Sequence, residues 1–139
     1  KKLLRKKGAP VTVVLGPSNP FLSLAPILDI PGMLDLIREE ANFIVAISPI
    51  VGGQALKGPA AKIMSEFGFA ATAEGWIRYL EMRYPGLVDE WVLDDCDACF
   101  EKNIDLSRRK IKFVNTVMSD ECRCNRFSRW LVENCFNAR

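Results

Sequence analysis

The 139-residue chain contains no histidine. Histidine is the side chain that most readily gains and loses a proton near neutral pH, and it completes the Ser-His-Asp and Cys-His catalytic sites. Its absence excludes both kinds of nucleophilic catalysis and every metal site that needs an imidazole ligand.

The chain also lacks a long apolar run and an excess of charge of one sign. No stretch approaches the roughly 18 consecutive apolar residues of a membrane-spanning helix. The basic residues 1–7 are not followed by the apolar region of a secretory signal, and we interpret them as the solvated end of a helix. The net charge of +2 gives no reason to expect nucleic-acid binding. We expect a cytoplasmic protein that binds neither nucleic acid nor a membrane.

Cysteine is present but does not form a disulfide pattern. The count of five is odd, and we interpret the thiols as reduced. Cys96-x-x-Cys99 and Cys122-x-Cys124 could supply four thiolates to zinc, but the second pair lacks the usual two-residue spacer and both pairs fall in predicted helices. We predict no metal site in this chain.

Strand-like and helix-like segments alternate along the sequence. Apolar runs at residues 11–15, 43–47, 91–93 and 110–115 predict buried strands. The amphipathic segments predict helices at residues 20–28, 33–41, 60–67, 72–84 and 121–134, and acidic residues open a further helix at Asp94, Asp95 and Asp97. In the helix at 72–84 the residues predicted to be buried are Trp76, Ile77, Leu80 and Met82. This alternation is typical of an α/β fold with a mostly parallel sheet, here in a single domain of residues 1–139.

Two predicted strands end in turns with polar chemistry. The first turn offers Ser18 and Asn19, and the second offers Gly52, Gly53 and Lys57. Ligands of α/β sheets bind beyond the carboxyl ends of strands, where consecutive N–H groups and a lysine can bind phosphate oxygens. The order G-G-x-x-x-K-G is neither a Walker A loop nor G-x-G-x-x-G. The turns together predict a nucleotide site; the alternative is that both are ordinary connections.

Two carboxylates, Asp94 and Asp95, follow the third predicted strand. Oxygen ligands at this position suit Mg²⁺. Acidic side chains also suit the first turn of a helix, and we favour this capping role because it is the more common one.

Two blocks of the sequence resemble the 2-phospho-L-lactate transferase family. Residues 16–32 resemble its P-S-N-P…S-I-x-P-I-L-x-x-P-G signature, and residues 48–60 resemble its S-P-I-x-G-G-x-A-L-K-G-P-A block. Weaker blocks follow in the same order, among them residues 115–120. The resemblance covers roughly residues 11–132 and corresponds to the C-terminal half of a family member.

The resemblance implies a transferase of coenzyme F-420 biosynthesis with a Rossmann-like three-layer α/β sandwich. Such an enzyme uses Mg²⁺ and moves a 2-phospholactyl or phosphoenolpyruvyl group from a guanosine diphosphate-linked donor to the deazaflavin Fo, releasing GMP. A hydroxyl of Fo attacks phosphorus, and this chemistry needs no histidine. By carry-over, the residues around the donor are Ser18, Asn19, Pro20, Ser23, Gly52, Gly53, Lys57 and Gly58.

The family's G-G-T-G motif and metal-binding aspartates have no counterpart in this sequence. We therefore expect an incomplete sandwich, with the Mg²⁺ ligands in an N-terminal half outside this chain. The chain would then be an inactive fragment, or would associate with that half or as a homodimer. Two alternatives stay open: a non-catalytic nucleotide-sugar-binding regulator of the gluconeogenesis-factor type, and an α/β remnant without activity. The Ser18-Asn19-Pro20 sequence favours the transferase, because such regulators have G-S-L-Y-T-S at this turn.

Overall fold

A computed structural model describes residues 10–55, 59–98 and 110–136 of the chain. Strands and helices alternate along it. In chain order the strands are β1 (Thr12–Leu15), β2 (Phe43–Ile47), β3 (Ile50–Val51), β4 (Gln54–Ala55), β5 (Glu90–Leu93) and β6 (Lys110–Phe113). The helices are α1 (Ala25–Leu28), α2 (Met33–Glu40), α3 (Ala60–Glu66), α4 (Ala73–Arg83) and α5 (Glu121–Leu131). A π-helical turn precedes α1 at Pro20–Leu24 and another follows α5 at Val132–Phe136.

Four of the strands form a parallel sheet in the order β1-β2-β5-β6. Leu15 of β1 pairs with Ala46 of β2, and Ala46 pairs with Trp91 of β5. At the far end of β5, Leu93 pairs with Phe113 of β6. This register brings the carboxyl ends of all four strands to one edge of the sheet. The predicted α/β fold with a mostly parallel sheet is confirmed.

Helices cover both faces of the sheet, which gives three layers. On one face, Trp91 packs in a core shared with α1 to α4 and meets Trp76 of α4 edge-on, with 5.2 Å between ring centroids. On the other face, Val45 and Val92 pack with Phe127 of α5. All five residues of β2 are buried, because this central strand has helices on both sides.

Some features differ from the prediction. The turn after β2, interpreted as a loop, contains the hairpin of β3 and β4. Met82, predicted to be buried, is 67% exposed. The buried side of α4 follows the helical period through Trp76 and Leu80, and Met82 falls on the opposite side. In the helix predicted after β5, the described residues 95–98 form a short 3₁₀ turn. The rest of that segment and residues 1–9 lie outside the described residues.

Within the described ranges, no single helix is long and apolar enough to cross a membrane. One pair, Pro20–Leu28 with Met33–Glu40, meets the requirement jointly by length and composition, but it is bent by 78°. In this pair, Leu28 and Ile37 are buried in the core formed by α1 to α4.

Candidate functional site

Polar loops follow the carboxyl ends of neighbouring strands at one edge of the sheet. Residues 16–19 follow β1, the β3–β4 hairpin follows β2, and residues 94–98 follow β5. Thr116 lies beyond the end of β6. Ligands of open α/β sheets bind at this edge. The two turns singled out in the sequence therefore stand where a ligand site is expected.

Asn19 ends the first turn and caps the helical segment that follows. Its Oδ1 accepts hydrogen bonds from the N–H groups of Phe21 at 2.9 Å and Leu22 at 3.0 Å, which have no partner inside the helix. Its Nδ2 is buried and has no hydrogen-bond partner among the described residues. A buried donor without a partner lowers stability. This amide group is therefore a strong candidate for binding a ligand oxygen.

The other predicted residues of the first turn differ in exposure. Ser18 is exposed, and its N–H donates to the carbonyl of Gly16 at 2.7 Å. Pro20 is buried as the first residue of the π-helical turn. Ser23, in the same turn, is half-buried. Ser18 thus presents its hydroxyl to solvent beside Asn19, whereas Pro20 belongs to the packing beneath the turn.

The second turn carries two successive glycines in the left-handed region, with φ of 58° at Gly52 and 74° at Gly53. A tight two-residue hairpin between β3 and β4 favours two such residues, and glycine adopts this conformation without steric cost. Ser48 stabilises the start of the hairpin. Its buried hydroxyl donates a hydrogen bond to the Ile50 carbonyl at 2.9 Å and accepts one from the Ile50 N–H at 3.1 Å. Two further predicted residues lie outside the described part of the chain and stay predictions: Lys57 and Gly58.

Asp94 connects the end of β5 to the segment after β6. It is 4% exposed. Oδ2 of Asp94 accepts two hydrogen bonds from Thr116, one from the backbone N–H at 2.8 Å and one from the side-chain hydroxyl at 3.1 Å. Oδ1 of Asp94 accepts a hydrogen bond from the N–H of Cys96 at 3.1 Å. Burial raises the pKa of Asp94, but these hydrogen bonds together outweigh burial and hold it below the ordinary value. Both oxygens are engaged, which favours the capping role over a Mg²⁺ ligand.

Replacing Asp94 by asparagine is expected to lower the free energy of unfolding at neutral pH by about 2 kcal/mol, because the amide places an N–H group against a backbone donor. Folding lowers the pKa of Asp94 below its ordinary value of 3.8. The carboxylate therefore stabilises the fold fully above that value, and this contribution is lost as the pH falls through the lower folded-state pKa. Urea denaturation from neutral to acid pH should show the difference shrinking, and the exposed Asp95→Asn variant is the control expected to stay within about 0.5 kcal/mol of the parent.

Asp97 connects the segment after β5 to the glycine hairpin. Its Oδ1 accepts a hydrogen bond from the N–H of Gly52 at 3.0 Å, across 45 residues of sequence. Asp97 is 3% exposed, and its Oδ2 is buried without a hydrogen-bond partner among the described residues. Burial raises the pKa of Asp97 above its ordinary value. The hydrogen bond from Gly52 lowers it in part, and the nearby Asp94 carboxylate raises it further. The sequence predicts Asp97 only as an acid at a helix start, and no local signal connects it to Gly52.

Neither the thiol nor the carboxylates of residues 94–97 form a metal centre. Burial, a hydrogen bond to Asp94 and the carboxylate of Asp97 raise the pKa of Cys96 to about 11. The thiol is therefore protonated at neutral pH, which disfavours it as a nucleophile. In the part of the chain that the structure describes, no group of three or more His, Cys, Asp or Glu residues could hold a metal ion. Asp94 does not fit a Mg²⁺ ligand, because both of its oxygens already accept hydrogen bonds.

Comparisons with known proteins show what the chain is similar to. The family model of 2-phospho-L-lactate transferase CofD matches residues 7–128. The 2-phospho-L-lactate transferase of Methanocaldococcus jannaschii is 32% identical over 123 residues, which cover 88% of this chain and 37% of that protein. The 2-phospho-L-lactate transferase of Methanococcoides burtonii is 36% identical over 106 residues, which cover 76% of this chain and 33% of that protein. A phosphoenolpyruvate transferase of Streptomyces griseus is 31% identical over 118 residues, covering 85% and 36%. The chain thus spans about a third of the length of these curated relatives.

Proposed function

The chain belongs to the 2-phospho-L-lactate transferase family, as its sequence predicts, and on that premise we propose that the carboxyl edge of its sheet forms part of a donor site. The donor would be a guanosine diphosphate-linked three-carbon acid, and the acceptor the deazaflavin Fo, in coenzyme F-420 biosynthesis. The names of the relatives include both a 2-phospho-L-lactate and a phosphoenolpyruvate transferase. The 2-phospholactyl and the phosphoenolpyruvyl group are therefore both candidates for the group that is transferred.

The observation that carries this proposal is the Nδ2 group of Asn19, which has no hydrogen-bond partner in the part of the chain that the structure describes. Two backbone N–H groups hold Oδ1, so the amide cannot present that oxygen to a ligand without losing both hydrogen bonds. Only Nδ2 remains, and it is a donor. A buried donor at this edge of the sheet suits the oxygen of a diphosphate, which carries acceptors and negative charge.

In the proposed reaction, a hydroxyl of the acceptor attacks the phosphorus that carries the three-carbon acid. The new P–O bond forms, the hydroxyl proton passes to solvent, and the bond from that phosphorus to the oxygen of the leaving GMP breaks. Catalysis of this kind depends on positioning the reactants and offsetting charge. We assign Asn19 to a diphosphate oxygen and Lys57 to the charge of the diphosphate. No step is assigned to Mg²⁺, whose ligands we place outside this chain.

Calorimetric titration of the purified protein with GDP, and then with Fo, tests the proposal. We expect both to bind, GDP with a dissociation constant below about 1 mM, which corresponds to more than roughly 4 kcal/mol. ADP is the matched control, since it offers the same diphosphate with a different base: equal binding of ADP would support the diphosphate contact and contradict a site specific for guanosine.

The outcomes separate the competing functions. Binding of GDP without Fo would favour a nucleotide-binding regulator over a transferase. If neither ligand binds to protein that circular dichroism shows to be folded, the donor-site proposal is wrong and the chain is an inactive member of its family.

A further inference from the structure

We infer that Asp97 is a positioning residue of the nucleotide site, which fixes the shape of the Gly52–Gly53 turn through its hydrogen bond to the Gly52 N–H. This inference rests on the proposed function, because it assigns that turn to the site. The carboxylate itself is assigned no contact with the nucleotide.

The hairpin needs support from outside because it is very small. Each of its strands has two residues, and an isolated two-stranded hairpin is marginally stable at best in water. Its two glycines lose more conformational freedom on folding than any other residue type would. A contact with a buried group from a distant segment can offset that loss.

Asp97 provides such a contact from a segment that is itself held in place. Asp94 binds the N–H of Cys96 with its side chain and the N–H of Asp97 with its carbonyl, at 3.1 Å and 3.0 Å. The same Asp94 side chain binds Thr116 beyond β6. The loops after β2, β5 and β6 are therefore connected through Thr116, Asp94, Asp97 and Gly52.

The glycine turn lies directly against this segment. A Cβ atom placed on Gly52 would stand 3.7 Å from the Sγ of Cys96. The Gly52 N–H is already bound to a carboxylate, so it is not free for a phosphate. Its role is to anchor the turn, and the remaining groups of the turn are then available to a ligand.

Two variants of the purified protein test this inference. Asp97→Ala removes the acceptor, whereas Asp97→Asn is nearly isosteric and keeps an oxygen for the Gly52 N–H. The two measurements are hydrogen exchange at the Gly52 amide without nucleotide, followed by NMR, and GDP affinity by calorimetry. We expect Asp97→Ala to speed the exchange and to weaken GDP binding by about tenfold each, and Asp97→Asn to stay within about threefold of the parent in both.

Each outcome bears on a separate part of the inference. Unchanged Gly52 exchange in Asp97→Ala would show that Asp97 does not hold the turn. Faster exchange with unchanged GDP affinity would show that the turn is not part of the nucleotide site. A parent protein that binds no GDP contradicts the proposed function, while the exchange result still decides whether Asp97 holds the turn. If Asp97→Ala does not fold, Asp97→Leu takes its place, because leucine is close in size and lacks the acceptor: faster exchange at Gly52 supports the contact, and parent-like exchange contradicts it.

Discussion

Replacing Gly75 by alanine is expected to lower the free energy of unfolding by about 3 kcal/mol. A Cβ atom at Gly75 would overlap the carbonyl oxygen of Ala70 and lie 2.9 Å from its carbonyl carbon. Both are backbone atoms, so no side-chain rotation relieves the clash, and the start of α4 must move. Helix propensity alone predicts the opposite sign, since alanine in a helix is favoured over glycine by about 1 kcal/mol. Urea denaturation of both proteins measures the change.

Gly16→Ala is the matched control for this substitution. A Cβ atom at Gly16 meets nothing within 4 Å, and Gly16 is not among the glycines with positive φ. We expect its free energy of unfolding to stay within about 0.5 kcal/mol of the parent. Equal stability of the two variants would show that α4 does not approach Ala70 as closely as described.

The strands could be predicted from the sequence where their burial leaves a local pattern. Phe43–Ile47 is predicted with its observed bounds, because a strand covered by helices on both faces is continuously apolar. The buried side of α4 is largely predicted for a similar reason, since Trp76, Ile77 and Leu80 follow a 3.6-residue period. Met82 does not fit that period and is exposed. Apolar character without the right spacing was not enough to predict burial.

The hairpin and the contact of Asp97 could not be predicted, because neither leaves a local pattern. Strands of two residues are too short to show alternation. The hydrogen bond from Gly52 to Asp97 spans 45 residues, and it forms only because parallel pairing brings the ends of β2 and β5 together. In the first turn, the sequence marks Asn19 as a turn residue with ligand-binding potential. It does not show that Oδ1 is engaged as a cap and that Nδ2 is the atom left for a ligand.

Asn19→Asp is expected to weaken GDP binding by tenfold or more and to lower the free energy of unfolding by no more than about 1 kcal/mol, because the retained cap offsets part of the cost of burying an unpaired carboxylate oxygen. The new carboxylate keeps an oxygen for the N–H groups of Phe21 and Leu22, and negative charge suits a helix N-terminus. It replaces the buried Nδ2 donor by an acceptor, which leaves a phosphate oxygen without its partner and adds repulsion between like charges. Calorimetry measures the affinity, and urea denaturation measures the stability.

Asn42→Asp is the matched control, because it makes the same change of charge at the amino ends of the strands, away from the candidate site. Asn42 lies just before β2, and its Oδ1 also accepts a backbone hydrogen bond, from Val11 at 3.0 Å. We expect this variant to bind GDP as the parent does, so a loss confined to Asn19→Asp cannot result from net charge. Asn19→Ala should lower stability by about 1 kcal/mol together with affinity, since it removes the cap as well as the donor. If Asn19→Asp binds GDP as tightly as the parent, Nδ2 is not the ligand-binding group, and the donor site must be sought at another loop of this edge.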